Sequence, residues 1–325
     1  MRKQILLTVL ALLGCCTAVR ADVQINEANF PDENFRKWVL SQDYGQDGVL
    51  TDAEIAGVTE INVNKKKIQS LKGIEYFTAL TTLDCGFNQL TALNLSKNTA
   101  LKELDCGENR LTALDVSKNT ALTTLSCGGN QLTKLDLSQN TKLTELGCDW
   151  NRLTALNLSK NTALTELECG GNQLTVLDMS QNTALTTLHC FINQLTKLDV
   201  TKNTALTTLN CNSNRLRELD VSQNTALTSL YCDENQLTKL DLTKNTKLTW
   251  LDCCLNQIKG AAMDALVESL PKVRKVRYSG EMCVIYFKNE GNEMTTTQVA
   301  AAKAKGWTPY ARANYKMKKY KGSSQ

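Results

Sequence analysis

Between residues 80 and 258 the apolar positions fall into two short alternating runs within every 21 residues. In "TLDCG", Leu83 and Cys85 alternate with Thr82, Asp84 and Gly86, the period of two that a half-buried strand requires. The following "LTALNLS" alternates again, and no face of helical period occurs in the unit. The pattern predicts a strand on one side and a second short strand or extended turn on the other, joined by tight corners.

Aligned on its cysteines, the unit reads L-T-x-L-x-C-x-x-N-x-L-T-x-L-[DN]-x-[ST]-x-N-T-A. Nine copies carry Cys85, Cys106, Cys127, Cys148, Cys169, Cys190, Cys211, Cys232 and Cys253. A fixed period in the twenties with L-x-x-L-x-C-x-x-N-x-L is the leucine-rich-repeat signature, at the short end of its range. Each coil buries a handful of side chains, such as Leu101, Leu104, Cys106, Leu111, Leu114 and Val116. At roughly 1.5 to 3 kcal/mol per large side chain, that does not offset ordering a whole coil at roughly 1 to 2 kcal/mol per residue. One repeat alone should not fold, and stacked coils sharing a core should. The expected fold class is a mainly β solenoid. It is a right-handed leucine-rich-repeat coil with a parallel concave sheet and short extended segments on the convex side, a small helical N-terminal cap and an α/β C-terminal cap.

Asparagine recurs three residues after each cysteine, from Asn88 to Asn256, and again in the "S-x-N-T" corner from Asn98. An amide offers donors and an acceptor, so both columns read as ladders that satisfy backbone groups at the corners. The expected organisation is a signal peptide over 1–21, an N-terminal cap over 22–57, repeats over 58–259 and a C-terminal cap with a basic tail over 260–325. Val63 takes the cysteine slot of a first capping coil, and "PDENFRKWVLSQ" before it reads as a short amphipathic helix. Beyond Gly260, "AAMDALVESL" and "TTTQVAAAKAKGW" read as helices, and "VRKVRYS" and "MCVIYF" as strands.

"DYGQDGVLTDAE" places Asp43, Asp47 and Glu54 where an EF-hand loop wants ligands, but Gly45 stands where a third ligand belongs. The favoured reading is a cap that keeps the helix-loop-helix shape without metal, hence no cofactor; calcium held by Asp43, Asp47 and Glu54 is the alternative.

"MRKQILLTVLALLGCCTAVRA" has the basic start, apolar run and small-residue cleavage pattern of a secretory signal. "LLGC" also resembles a lipobox, so a lipid anchor on Cys15 stays open beside soluble secretion. No other stretch approaches the ~20 apolar residues of a membrane span. The net charge of +4 is modest, and its basic excess gathers near the C-terminus, which reads as a solvated tail and not as a nucleic-acid site. The ladder cysteines point inward with parallel Cα–Cβ vectors, so they read as buried free thiols and not as bridges or metal ligands. Cys254 and Cys283 lie outside the ladder and could pair with each other. The sole histidine, His189, has no nucleophile beside it, so no catalytic triad is expected and an enzyme is not the expected class.

The outward positions lie three and one before each cysteine and one and two after it. Over nine repeats these 36 sites hold eleven acids, among them Asp149, Asp233 and Asp252, and no Lys or Arg. They also hold Phe87, Trp150, His189, Phe191, Ile192, Tyr231, Trp250 and Leu255. From the fourth repeat to the ninth, these side chains could line one strip about 25 Å long. Aromatics flanked by charge are the usual makeup of a binding patch. The competing reading is that the acids keep the sheet soluble and the aromatics cover neighbouring glycines.

The cysteine-bearing unit resembles the internalin-type bacterial leucine-rich repeats, the subgroup with a cysteine ladder. "LKGIEYFTALTTLDC" and "QVAAAKAKGW" are similar to exported leucine-rich-repeat proteins of gut anaerobes. The resemblance implies a truncated EF-hand-like cap and adhesion or host-ligand binding through the concave sheet. The expected function is therefore non-enzymatic binding of a protein or glycan ligand, suited to basic groups, by an exported monomer that is secreted or held at the cell surface. A scaffolding surface protein with no specific ligand is the alternative.

Overall fold

Each "x-L-x" tripeptide before a ladder cysteine is a strand, because its leucine packs inward while its two neighbours face out. The computed structural model describes residues 22–274, 280–286, 291–313 and 316–323. The signal segment with Cys15, and most of the strand expected in "VRKVRYS", lie outside these residues. The N-terminal cap comprises β1 (Val23–Gln24), α1 (Glu33–Leu40), β2 (Val49–Leu50) and α2 (Asp52–Gly57). β3 (Glu60–Asn62) belongs to the Val63 coil. The nine repeats supply β4 (Thr82–Asp84), β5 (Glu103–Asp105), β6 (Thr124–Ser126), β7 (Glu145–Gly147) and β8 (Glu166–Glu168). They continue with β9 (Thr187–His189), β10 (Thr208–Asn210), β11 (Ser229–Tyr231) and β12 (Trp250–Asp252).

Neighbouring strands pair in parallel with leucine beside leucine, as in Leu188 and Leu209, so a 21-residue period maps directly onto the stacking register. All ladder cysteines are buried free thiols. The second half of each unit is extended and turn-like. Between repeats, a single parallel bridge, Asn94 to Asp115, forms on that side among the described residues.

Both asparagine columns are buried. Asn109 Nδ2 donates to the carbonyls of Cys85 in the preceding coil (3.0 Å) and of Cys106 in its own (3.1 Å), while its Oδ1 accepts from Leu90 N–H at 3.0 Å. At the other corner Asn119 Nδ2 donates to the carbonyls of Leu95 and Asn98, both in the coil before it. Backbone groups that a tight corner would orphan are thus satisfied between coils.

Asp32 joins the N-terminal cap to the solenoid: one carboxylate oxygen caps α1 through Asn34 and Phe35 N–H, and the other accepts from Gln69 and Ser70 N–H of the first coil.

The C-terminal unit is less separate than its change of sequence pattern suggests. It contains α3 (Ala261–Ser269), β13 (Glu281–Tyr286), α4 (Thr296–Ala304), β14 (Thr308–Ala313) and β15 (Lys316–Lys319). β13 pairs in parallel with β12, placing Met282 beside Leu251, so the cap extends the same thirteen-stranded sheet. Asn292 even takes the ladder role, donating to the Cys253 carbonyl at 2.8 Å and accepting from Ile258 N–H. The basic segment expected as a solvated tail instead forms β15, paired antiparallel with β14. Exposed Lys318 and Lys319 on that last strand discourage further strand addition. Among the described residues no helix is long and apolar enough to cross a membrane.

Candidate ligand-binding face

The second residue after each ladder cysteine sits in left-handed backbone. Its φ is +53° at Phe87 and Glu108, +51° at Trp150, +47° at Ile192, +52° at Ser213 and Glu234, and +53° at Leu255. Glycines take the same column at Gly129 (φ +65°) and Gly171 (φ +61°). This conformation costs an L-residue roughly 1 to 2 kcal/mol and is least tolerable for a β-branched side chain such as Ile192. Repeats three and five avoid that cost with glycine; four others place Phe, Trp, Ile or Leu there in spite of it.

Gly170 and Gly171 form a shallow floor in repeat five. A Cβ on Gly171 would lie 2.6 Å from the Trp150 ring, and one on Gly170 would lie 2.5 Å from the Phe191 ring. The two rings cover the glycines from opposite sides and meet edge to face, with centroids 6.1 Å apart. Trp150 is nevertheless 52% exposed, and Ile192, next to Phe191, is 43% exposed. Repeat three repeats the arrangement with carboxylates: Glu108 Oε1 and Asp149 Oδ1 each lie 2.5 Å from where a Cβ on Gly129 or Gly128 would stand. Burial, ahead of the nearby charges of Glu168 and Glu108, raises the Asp149 carboxyl above its ordinary range. His189 Nδ1 lies 3.7 Å from Glu168 Oε1 on the adjacent strand.

The outward aromatics form two clusters and not one continuous strip. Trp150, Phe191 and Ile192 make the first. Tyr231 and Trp250 make the second, tilted against each other at 6.1 Å beside half-buried Leu255. Repeat seven separates them with Asn210, Asn212 and Ser213, which are too short and polar to bridge the gap. Phe87 stands apart in repeat one, 53% exposed, with Lys65 Nζ 4.7 Å from its ring centre.

Asp233 and Asp252 do not face solvent as their alternation predicts. Both are buried, because Arg312 reaches back from β14 to donate to Asp252 Oδ2 and to lie 3.7 Å from Asp233 Oδ2. Burial, reinforced by repulsion from Asp252 and opposed by Arg312, pushes the Asp233 carboxyl up to about 7. Asp252 is raised as well, burial outweighing Arg312. The charge of these two acids is met within the chain, so among the described residues the acids of the sheet left without an internal cation are those of the first five repeats and Glu234. The repeat pattern carries no sign of Arg312. It also gives none of Val176, 71% exposed on the lateral surface.

In the N-terminal loop Glu54 Oε2 accepts from the N–H and hydroxyl of Thr51, both at 2.8 Å, which caps α2. Asp47 accepts from Val49 N–H and Asp43 from the Gln46 amide. Each carboxylate is thus engaged locally, and the structure does not gather the three. A Cβ on Gly45 would stand 2.2 Å from the Val39 carbonyl oxygen, so the position that lacks an EF-hand ligand has no room for one.

No protein-family model matches the chain. The functional domain of InlJ from Listeria monocytogenes, whose structure includes a cysteine ladder, superposes with a TM-score of 0.76 at 34% identity, over 90% of this chain and 62% of that one. Internalin J of Listeria monocytogenes is 44% identical over 71 residues, 22% of this chain and 8% of that protein. The chain thus spans less than two thirds of either relative. The internalin InlF of the same species shares the fold, with a TM-score of 0.70 at 23% identity over 89% of this chain. With the register, the inward thiols and this superposition in agreement, the chain is an internalin-like leucine-rich-repeat protein with a cysteine ladder of 21-residue period.

Proposed function

We propose that the protein binds a protein or glycan ligand on its concave sheet, outside the cell that makes it, with the cluster of Trp150, Phe191 and Ile192 as the contact centre. The observation that carries this reading is the exposure of Trp150 and Ile192 at left-handed positions, where glycine would give the lower-energy backbone. The repeat imposes this backbone at polar Glu108, Ser213 and Glu234 as well, so what supports the reading is that apolar side chains kept there stay open, where contact with a partner would offset the strain. The rings are held over Gly170 and Gly171, so little side-chain freedom remains to be lost on binding. Asp149, Glu166 and Glu168 border the cluster and suit a ligand with basic groups. The likeness to a functional domain of InlJ supports the same reading. We take the working form to be a monomer, its last strand edge guarded by lysines.

A scaffolding role without a ligand has one observation in its favour, namely that Trp150 and Phe191 cover glycines. The two readings separate by experiment. The purified chain is screened on glycan and extracellular-protein arrays, and the hits are repeated with Trp150→Ala and Phe191→Ala. Binding lost at nearly unchanged melting temperature supports the concave site. A chain that binds nothing, and whose variants lose only stability, is a scaffold.

A further inference from the structure

Where the last repeat meets the C-terminal cap, the sheet brings together side chains that the repeat pattern does not require. Cys254 follows the final ladder cysteine, and the register of β12 with β13 sets Cys283 beside Asp252. The two sulfurs and an Asp252 oxygen lie within 4.8 Å of one another, and all three residues are wholly buried. Among the described residues this is the one such group of candidate metal ligands. Both cysteines are free thiols.

Two further observations point to a ligand. Asp233, in the neighbouring coil and in the same column as Cys254, is 3% exposed, and its Oδ1 is buried without a hydrogen-bond partner. Asp252 is oriented through its other oxygen by Arg312, which leaves Oδ1 turned toward the Cys254 N–H at 3.5 Å. A carboxylate ligand held by an outer hydrogen bond in this way is the usual support of a metal centre.

We propose that Cys254, Cys283 and Asp252 bind a divalent, thiolate-preferring ion, zinc in the first place, with the buried carboxylate of Asp233 as an outer partner from the neighbouring coil. Two sulfurs and a carboxylate oxygen, with the fourth position left to a water, suit the tetrahedral preference of zinc, whereas calcium and magnesium avoid sulfur. Arg312 offsets part of the negative charge that the bound set gathers. The ion displaces one proton from each thiol, so zinc enters, two protons leave and nothing is oxidised. Bound there, it clamps β13 of the cap to the last coil.

The full chain, purified in reductant and stripped with chelator, is titrated with zinc alone and with cobalt(II) as a spectroscopic probe. One equivalent binds, releasing about two protons. The cobalt form shows sulfur-to-metal charge-transfer bands and intense tetrahedral d–d bands, and the melting temperature rises. Cys254→Ser and Cys283→Ser each weaken zinc binding by more than about 100-fold, and Asp233→Asn by roughly tenfold. Cys127→Ala, in the ladder, leaves binding unchanged. The proposal is overturned by a wild-type chain that gives no cobalt bands with its thiols reduced. It is equally overturned by an intact mass two hydrogens light with Cys254 and Cys283 joined, or by bands that persist when both are serine.

Discussion

Trp150 and Phe191 belong to repeats four and six, yet their rings meet edge to face, with centroids 6.1 Å apart, above the two glycines of repeat five. Adding a methyl group at Gly171 should therefore collide with Trp150 and also impose left-handed backbone on alanine. Gly171→Ala is expected to cost about 2 to 3 kcal/mol, of which about 1 to 2 is backbone strain. In a Trp150→Ala background only the strain remains. Urea melts of the four chains of this double-mutant cycle measure the difference; a cost that is the same in both backgrounds would mean the ring does not cover the glycine.

Ile192 is strained for the opposite reason, being β-branched at φ +47°. Asparagine tolerates that backbone. Ile192→Asn should leave the melting temperature unchanged or raise stability by up to about 1 kcal/mol, while weakening whatever ligand the concave face holds. A fall in stability would show that its packing outweighs the strain.

Arg312 compensates two buried acids at once. Arg312→Ala leaves both without their cation and is expected to destabilise the chain by about 3 kcal/mol, the low end for breaking a buried pair, since the guanidinium is 30% exposed. Limited proteolysis should then cut the C-terminal cap first.

The thiol ladder predicts steep alkaline unfolding. Burial pushes Cys127 and Cys190 up to about 12, from an ordinary value of 9.0. In the unfolded chain these thiols ionise first, so above pH 9 the unfolded state binds fewer protons than the folded one. Stability is therefore full below pH 9 and falls as pH rises toward 12, by about 1.4 kcal/mol per thiol and pH unit. Cys127→Ala with Cys190→Ala should flatten the decline by about 3 kcal/mol per pH unit. Equal slopes for the two chains, from urea melts between pH 8 and 11, would contradict it.

In the N-terminal loop, Gly45→Asp would restore the EF-hand pattern yet place its Cβ 2.2 Å from the Val39 carbonyl oxygen. The variant should lose stability and gain no calcium affinity. For the wild type, chelator and added calcium should leave the melting temperature unchanged, because Glu54 is committed to capping α2.

The solenoid was legible from the sequence because every element of it rests on short-range regularity. Alternation turns Leu83 and Cys85 inward, a constant 21-residue period sets the register, and Asn88 and Asn98 recur where corners need amides. The candidate face was legible only as a set of outward positions. Which of them are open to a ligand depends on neighbours that no repeat specifies. Arg312 lies sixty residues from Asp252 in sequence and buries it across two strands of the cap. Repeat seven divides the aromatics because Asn210, Asn212 and Ser213 are short, and Gly170 and Gly171 acquire rings from the coils on either side. Cys254 and Cys283 meet only because β13 adds to the sheet in register with β12. Periodicity alone determined the coil, its inward thiols and its asparagine ladders, since those forces act within one turn and the next. Burial, charge compensation and left-handed strain on the concave face were decided by the tertiary structure, since they depend on which non-repeating side chain comes to lie over which coil.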